Sequence, residues 1–412
     1  MAILHNLGFP RIGAKRELKF ELEKYWQKDI TAEQLEQTGE ELRAVHWQNQ
    51  RQLDFVPVGD FSFYDQILDT SFLFGNVPER VDGLQGNSFD DYFRIARGRS
   101  PLDNDCSCVH AGEMTKWFDT NYHYIVPEFT AETEFILDST RLLKQVTEAQ
   151  KLGHNIKPVI VGPVSYLWLG KEKDKSNKLD LLNTLLAAYQ QLFQELAEHN
   201  VEWLQIDEPI LVTDLTVKWQ QALCQSYQYF AQSPIKLLLT TYFGQLKDNL
   251  PLACELPVAG IHLDTINAAD EVAAFIANCG KDKIISLGII NGRNIWKTDL
   301  TALLNWLEPI AEKLGDRLWL APSCSLLHVP VDLDNEKSLD KAILSWLAYA
   351  KQKLTELELV GSILKSGRAR HAQTLAGNAA AIKSRRESSL VNNPVVKESV
   401  NKIHDAMALR QS

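Results

Sequence analysis

The chain has 412 residues, of which 45% are hydrophobic and 23% are charged, and its formal net charge is −10. These proportions are typical of a globular protein and exclude an intrinsically disordered chain. The negative charge argues against a nucleic-acid binder, which usually presents a basic surface. No apolar run approaches the roughly 20 residues of a membrane-spanning helix, and the N-terminus lacks a signal-peptide pattern. We therefore expect a cytoplasmic protein that binds neither nucleic acid nor membranes.

Short β-branched or aromatic runs alternate along the chain with long segments of helical periodicity. Eight runs predict strands: Ile3–Leu7, Phe55–Gly59, Pro158–Gly162, Val201–Asp207, Lys236–Tyr242, Gly260–Asp264, Ile284–Ile290 and Leu318–Ala321. Helical segments between strands predict crossover connections and hence a parallel sheet. Residues 236–241 contain three consecutive leucines, an uninterrupted apolar run that indicates a strand buried on both faces.

Eight such units form either a closed (βα)8 barrel or an open, doubly wound sheet. No Gly-x-Gly-x-x-Gly motif follows the first strand, which weakens the dinucleotide-binding version of the open sheet. The sequence therefore predicts an α/β protein with a (βα)8 TIM barrel over residues 1–367. Residues 31–53 predict an extra N-terminal helix, and residues 368–412 predict a helical linker rather than a second core.

Polar residues follow several predicted strands, and in a barrel this places them at the rim where active sites form. The clearest are Asp207 and Glu208, which precede Pro209 and should leave the strand end in opposite directions. Either carboxylate could carry a proton or bind an amine, and the alternative is a structural carboxylate bonded to loop amides. The other rim candidates are Thr240–Phe243, His262, Asp264, Asn291–Asn294 and Ser323–Ser325.

A basic segment lies near the start of the chain, where a helix is predicted to begin near Ala14 or Lys15. Its four cations are Arg11, Lys15, Arg16 and Lys19. Cations at a helix N-terminus oppose the helix dipole, whereas backbone N–H groups and basic side chains there suit an anionic ligand. The alternative is a solvated helix face with Glu17 and Glu21 as countercharges.

A third candidate is the segment Glu113–Tyr124, in which Lys116 and His123 stand among aromatic residues. This composition is typical of a pocket wall for a planar or charged ligand. The alternative for His123 is a hydrogen-bonded residue of the core.

Metal binding is disfavoured by the pattern of cysteines. Six are scattered without a repeated spacing, at positions 106, 108, 224, 254, 279 and 324, and are predicted to be free thiols. Zinc needs three or four converging ligands, and a site assembled from His262, Glu208 and Cys324 is a conceivable but disfavoured set. No phosphate loop and no Gly-x-Ser-x-Gly turn is present. The residues alone therefore assign no catalytic group and no metal ligand.

Ten stretches of the chain resemble cobalamin-independent methionine synthases, in that family's order and over nearly the whole sequence. They are LGFPRIGAKRELK, LRAVHWQNQ, PVGDFSFYD, GNVPER, EMTKWFDTNYHYIVPEF, KPVIVGPVSYLWLGK, QIDEPILV, KLLLTTYF, GIINGRNIW and APSCSLLHVPVDL. The resemblance is to the N-terminal half of these enzymes. It implies two (βα)8 barrels face to face, with zinc, the homocysteine site and the catalytic residues in the C-terminal barrel. The enzymes use no cobalamin.

The resemblance also implies specific binding residues. It assigns the methyl donor, 5-methyltetrahydropteroyltriglutamate, to Arg16, Glu17, Leu18 and Lys19 and to Lys116. QIDEP and APSCSLL resemble motifs of the catalytic barrel, whereas Thr240–Phe243 stands where that barrel carries its His-x-Cys zinc pair. We therefore expect zinc only in the full-length enzyme, with no metal ligand and no catalytic residue in this chain.

The expected function is folate-tail binding and scaffold support in a methyltransferase of methionine biosynthesis, with the C-terminal barrel of the same polypeptide as partner. One alternative is a stand-alone folate-polyglutamate-binding module, and another is an independent barrel enzyme that uses Asp207 or Glu208. The chain ends where the segment between the two barrels runs on in that family. We therefore expect it to be the N-terminal part of a longer enzyme, with a naturally short homologue as the alternative.

Overall fold

The computed structural model describes residues 2–78, 81, 88–98 and 109–409. Two of the predicted free cysteines, Cys106 and Cys108, and the last two residues of the GNVPER stretch lie outside the described residues. The strands are β1 Ile3–Leu4, β2 Val56–Val58, β3 Met114–Lys116, β4 His123–Ile125, β5 Glu128–Phe129, β6 Ile156–Val161, β7 Lys171–Glu172, β8 Trp203–Asp207, β9 Lys236–Thr240, β10 Gly260–Leu263, β11 Ile284–Ile290 and β12 Leu318–Pro322.

The helices are α1 Glu17–Gln27, α2 Ala32–Gln48, α3 Gln66–Leu73, α4 Phe89–Arg97, α5 Thr140–Lys151, α6 Pro163–Leu169, α7 Leu182–Glu198, α8 Val217–Tyr229, α9 Leu250–Glu255, α10 Val272–Asn278, α11 Leu300–Leu314, α12 Lys341–Trp346, α13 Ala350–Ser366, α14 Ala372–Glu387 and α15 Pro394–Asn401. In the described part of the chain, no helix is both long and apolar enough to cross a membrane.

The main sheet of the described chain has eight parallel strands in the order β1-β12-β11-β10-β9-β8-β6-β2. A parallel bridge between His5 and Phe55 joins its two end strands and completes the circle. The predicted (βα)8 barrel is therefore confirmed, and each predicted strand corresponds to one of the eight. The first strand is shorter than predicted, because His5 already belongs to the bridge rather than to β1.

The inside of the barrel has an apolar layer at its N-terminal end and a polar layer above it. The apolar layer is formed by Phe55, Trp203, Leu238 and Trp319, with the rings of Phe55 and Trp319 stacked 5.2 Å apart. Along β8, Trp203 and Gln205 face inward, while Leu204 and Ile206 belong to the large cluster beneath the surrounding helices. This alternation explains why the strands are apolar on their outer face and partly polar inside.

The first helices precede the second barrel strand. Helix α2 confirms the predicted extra helix, and it begins with a capping box in which Thr31 and Gln34 bond each other's backbone N–H groups. Helix α1 begins at Glu17, two or three residues later than predicted, because Gly13 and Arg16 have positive φ angles of 83° and 64°. These left-handed residues turn the chain before the helix starts.

The C-terminal segment begins with helices that pack on the barrel. Leu357, Val360 and Ile363 of α13 are buried in the main core. Helix α14 is held to the barrel by Asn378, which accepts a hydrogen bond from Leu300 N and donates one to Thr298 O. Helix α15 buries none of its residues in the described structure. The division between barrel and linker at residue 368 stays a prediction.

Candidate ligand site at the barrel mouth

The C-terminal ends of the barrel strands form a mouth that the β3–β4 hairpin partly covers. Asp119, in the turn of that hairpin, pairs with Arg293 beyond β11 at 2.9 Å. The hydroxyl of Tyr122 accepts a hydrogen bond from Gln66 N at 2.9 Å. An open cavity of about 350 Å³ lies between the hairpin turn, Arg293 and His328. Loops from distant parts of the sequence therefore meet at this rim.

Aromatic side chains cover part of the mouth. The ring of Phe118 is nearly parallel to that of Trp168, with centroids 6.0 Å apart, and also contacts Phe243 at 5.9 Å. The guanidinium of Arg293 lies 4.9 Å from the Phe243 ring centroid. Phe118 and Phe243 have φ angles of 51° and 81°. Such angles are uncommon for bulky residues, and residues of this kind cluster at functional sites.

The turn before α1 presents Arg16 to solvent. Arg16 is the N-cap residue, in left-handed conformation, and no side chain caps this helix. The carboxylate of Glu17 accepts a hydrogen bond from Lys15 N at 2.9 Å and occupies the space that a side chain at Gly13 would need. Glycine is therefore favoured at position 13 because of its φ angle of 83°, and any side chain there would also displace the Glu17 carboxylate.

The predicted site residues of α1 divide into exposed and buried groups. The cationic ends of Arg16 and Lys19 lie 5.8 and 5.9 Å from the Phe20 ring centroid. Lys19 also pairs with Glu23 at 3.6 Å, but both side chains are largely exposed, so the pair contributes little. Leu18 is fully buried between α1 and α2. Its side chain therefore orients the helix start rather than presenting itself at the surface.

Arg11, one of the four cations predicted at the start of the first helix, is not part of that helix start. Arg11 donates a hydrogen bond to Ser62 O at 2.9 Å, so it fastens the turn to the loop beyond β2. The prediction that Arg11 belongs to the first turn of the helix was wrong, because α1 starts six residues later. The exposed cations near this turn are Lys15, Arg16 and Lys19.

Lys116 ends the first strand of the hairpin, opposite His123, and its side chain is exposed. Among the described residues, no carboxylate pairs with Lys116 or with Arg16. His123 is exposed as well, and its Nδ1 lies 2.9 Å from Asn121 O. The alternative of a core histidine is therefore wrong, because the hairpin turns this ring toward solvent.

The two predicted binding groups lie at the same end of the barrel, on either side of the loop that follows β12. Asn335 of that loop reaches Ala14 O at 3.5 Å, next to the start of α1. His328 of the same loop packs against Tyr122 of the hairpin, with ring centroids 6.5 Å apart. The described contacts do not join Lys116 directly to α1, so the loop after β12 forms the connection.

The carboxylates of Asp207 and Glu208 are structural in their contacts. Glu208 accepts hydrogen bonds from Val164 N at 3.2 Å and Ser165 N at 2.8 Å, at the start of α6. Asp207 points into the barrel and accepts from Gln205 Nε2 at 2.7 Å. The two carboxylates therefore point in opposite directions, as the sequence predicts. Burial raises the pKa of each to about 7, and the bonds to loop amides favour the structural interpretation of Glu208.

Sequence reasoning named Asp207 and His262 as rim candidates but missed Lys157 and the other polar residues buried around them inside the barrel. Lys157 of β6 is fully buried and donates a hydrogen bond to Gln205. Burial lowers the pKa of Lys157 to about 7, against the opposing effect of the nearby carboxylates of Asp207 and Asp60. His5 and His262 both bond Ser286 Oγ, at 2.7 and 2.8 Å. A lysine inside an otherwise apolar strand was the one available signal.

A second cavity, of about 210 Å³, lies on the flank of the barrel beneath α2 and α5. Of the three cations that line it, Arg43 is bonded to Glu148 at 2.9 Å and to Glu36 at 3.1 Å, and Lys144 and Arg141 also have acidic neighbours. Burial raises the pKa of Asp60 and of Asp69, both on its wall, to about 6. Because its charges are paired within the protein, this cavity suits a polyanion less well than the mouth does.

The residues do not fit a zinc site. Cys324 donates a hydrogen bond to Ser325 O, His262 bonds Ser286 Oγ, and Glu208 accepts from Ser165 N at the start of α6. The three residues of the conceivable zinc site therefore bond three different partners. Within the described ranges, the only converging group of three potential ligands is Glu36, Glu40 and Glu148, and Lys144 lies within 4.0 Å of each. The Lys144 ammonium group among these three carboxylates, with the Arg43 guanidinium bonded to two of them, already offsets most of their negative charge.

Comparison with known proteins identifies related sequences. The family model described as "Cobalamin-independent synthase, N-terminal domain" matches residues 3–315. The chain is 49% identical to the 5-methyltetrahydropteroyltriglutamate–homocysteine methyltransferase of Saccharophagus degradans, over 100% of this chain and 55% of that protein. The chain therefore spans about half the length of this curated relative.

Solved structures share the fold at low sequence identity. A putative vitamin-B12-independent methionine synthase from Listeria monocytogenes gives a TM-score of 0.56 at 16% identity, covering 87% of this chain and 96% of its own. A B12-independent methionine synthase from Shewanella sp. W3-18-1, solved in complex with selenomethionine, gives a TM-score of 0.57 at 13% identity. This match covers 82% of this chain and 90% of that chain. At this identity the likeness supports the barrel fold alone.

Proposed function

The chain belongs to the cobalamin-independent methionine synthase family, and on this basis we propose that it is the folate-tail-binding and scaffold part of a methyltransferase. The proposed reaction moves the methyl group from N5 of 5-methyltetrahydropteroyltri-L-glutamate to the sulfur of L-homocysteine, which gives methionine. The reacting groups would lie in a C-terminal barrel of the same polypeptide. No cobalamin takes part in this chemistry.

The observation that supports the proposal most is the pair of exposed basic groups at one end of the barrel. Arg16 and Lys116 have no carboxylate partner among the residues described, and Lys19 has only a weak one at 3.6 Å. A triglutamate tail carries several carboxylates, which would supply the missing countercharges. Glu17 would act by shaping the turn through its bond to Lys15 N, and Leu18 by anchoring the helix.

Tail binding of this kind contributes orientation rather than bond-breaking. The tail is remote from the methyl group, so its contacts are similar in the ground state and in the transition state. Holding the tail fixes where the pterin end of the donor can reach, which lowers the entropic cost of bringing methyl and sulfur together. We therefore place no catalytic residue in this chain.

The proposal is tested by titrating the chain with methyltetrahydrofolates that carry one or three glutamates, followed by ligand fluorescence. We expect the triglutamate to bind at least about tenfold more tightly at low salt, because each additional carboxylate meets a partly exposed cation. Raising the ionic strength should reduce this advantage. Equal affinities for the two donors at low salt would contradict tail binding at these residues.

We also expect the chain by itself to hold no stoichiometric zinc and to form no methionine from homocysteine. The reason is that the described residues offer no converging thiolate and imidazole ligands, and position 240–243 carries Thr-Thr-Tyr-Phe. Elemental analysis of protein purified without chelator measures the zinc content. A methionine-formation assay with homocysteine measures turnover. One tightly held zinc ion per chain, or turnover lost in Cys324→Ala, would show that the chemistry is in this barrel.

A further inference from the structure

Two buried cysteine thiols lie against each other on the outside of the barrel. Cys254 Sγ and Cys279 Sγ are 2.6 Å apart, although 25 positions separate the residues in sequence. Their side chains are only 3% and 4% exposed. The two remaining described cysteines are apart from this pair, since Cys224 is exposed and Cys324 bonds Ser325 O within the barrel loops.

Packed helices hold the two sulfurs in place. Cys254 lies in α9, and Cys279 is the C-cap residue of α10, where its N–H donates to Phe275 O at 2.9 Å. Cys254 Sγ lies 3.8 Å from the same Phe275 oxygen. A disulfide bond joins sulfur atoms at about 2.05 Å. The sulfurs therefore need to approach by only about half an ångström, a small movement for two side chains.

The surroundings favour one of the two thiols as the nucleophile. The hydrogen bond from Cys254 lowers the pKa of Cys279, and the nearby charges of Lys283 and Arg317 add to this effect against the cost of burial. Lys283 is fixed beside the pair because its ammonium group donates to Cys254 O and Leu256 O. Cys279 is thus the more acidic of the two thiols and the one we expect to attack first, and Cys254 is placed to attack second.

We propose that Cys254 and Cys279 form a reversible disulfide by exchange with a low-molecular-weight disulfide. The Cys279 thiolate attacks one sulfur of the small disulfide, forms a mixed disulfide and releases one small thiolate. Cys254 then loses its proton to water and attacks the Cys279 sulfur, which releases the second small thiolate. Two protein thiols are oxidised while one small disulfide is reduced to two thiols. This site is independent of the proposed folate function.

The experiment uses glutathione disulfide as oxidant, followed by intact-protein mass spectrometry and peptide mapping after blocking free thiols. We expect a product lighter by two hydrogen atoms within the chain, with Cys254 and Cys279 in one crosslinked peptide pair. Because the crosslink encloses about 25 residues, the oxidised chain should melt about 3–6 °C higher than the reduced chain. A reducing thiol should reverse both changes.

Three serine variants separate this site from the other cysteines. Cys254→Ser should trap glutathione on Cys279, whereas Cys279→Ser should leave Cys254 unmodified. Cys224→Ser serves as the matched control and should still form the crosslink. The proposal is overturned if wild-type Cys279 keeps its glutathione, if the crosslink involves another cysteine, or if the pair stays reduced after Cys224 has fully reacted.

Discussion

Replacing Arg16, Lys19 and Lys116 together with alanine should weaken binding of the triglutamate donor roughly 10- to 100-fold at low salt, and binding of the monoglutamate much less. Each exposed charge pair is worth about 0.5–0.9 kcal/mol, and the three act on different carboxylates of one tail. The measurement is a fluorescence titration of each variant with both donors.

The dependence on salt and on tail length distinguishes a tail site from a general loss of folding. Screening over about 10 Å at 0.1 M salt should reduce the wild-type advantage for the longer tail. In an enzyme that carries this chain, the loss should appear mainly in KM, because the tail makes uniform contacts along the reaction. A fall in kcat alone would instead indicate that the donor is mispositioned.

Lys24→Ala is the matched control, because it removes a cation from the last turn of the same helix. Lys24 pairs with Glu21 at 2.6 Å, on a largely exposed surface. This variant should bind both donors as the wild type does. If the triple variant loses affinity equally for the one-glutamate and three-glutamate donors, or loses none, Arg16 and Lys19 belong to a solvated helix face and Lys116 is an ordinary exposed strand residue.

The barrel could be predicted from the sequence because its strands carry a strong local signal. A parallel strand covered by helices is apolar on its outer face, and runs such as Ile284–Ile290 are nearly apolar throughout. The crossover spacing then limits the topology to a few choices. The strand ends were less certain, since they depend on which backbone groups find a partner in the next strand, as at His5.

The start of α1 shows where local propensity was insufficient. A helix beginning near Ala14 satisfies the periodicity, but Gly13 and Arg16 adopt left-handed conformations. Glu17 stabilises that turn through Lys15 N, and Arg11 is drawn away by Ser62 O. The last contact spans 51 positions, so no pattern of neighbouring residues could have supplied it.

The neighbours of the buried polar groups and thiols could not be predicted from the sequence either. Lys157 and His262 come together inside the barrel only because the strand register turns both inward. The two thiols of Cys254 and Cys279 meet because α9 and α10 pack side by side. In each case the sequence contains the residue types, and long-range packing determines their neighbours.

Glu208 offers a second large effect, on stability rather than on binding. Its carboxyl group is fully buried, and burial raises its pKa from 4.5 to about 7 although the N–H groups of Ser165 and Val164 oppose the shift. The folded state therefore holds this proton more tightly than the unfolded state does. The stability that follows is fully present below pH 4.5 and is lost as the pH rises through about 7.

Glu208→Gln keeps the shape of the side chain and removes its titration. We expect the free energy of unfolding of the wild type, relative to this variant, to fall by about 2–3 kcal/mol between pH 4.5 and pH 8, because each pKa unit corresponds to about 1.36 kcal/mol. Urea unfolding at several pH values measures the free energy of unfolding of both proteins. The contributions of all other titrating groups are the same in both and cancel in the difference.

The sign of this change is the decisive part of the experiment. The amide of the Glu208→Gln variant would present an N–H group to one of the two backbone donors at the start of α6, which adds a penalty that does not vary with pH.

The exposed Glu198→Gln, on α7, is the matched control and should leave the pH profile unchanged. A wild-type advantage that stays constant or grows from pH 4.5 to pH 8 would mean that Glu208 is buried as a well-stabilised carboxylate. Its two backbone bonds would then outweigh the cost of burial, and the carboxylate would hold the start of α6 in its charged form rather than as a protonated acid.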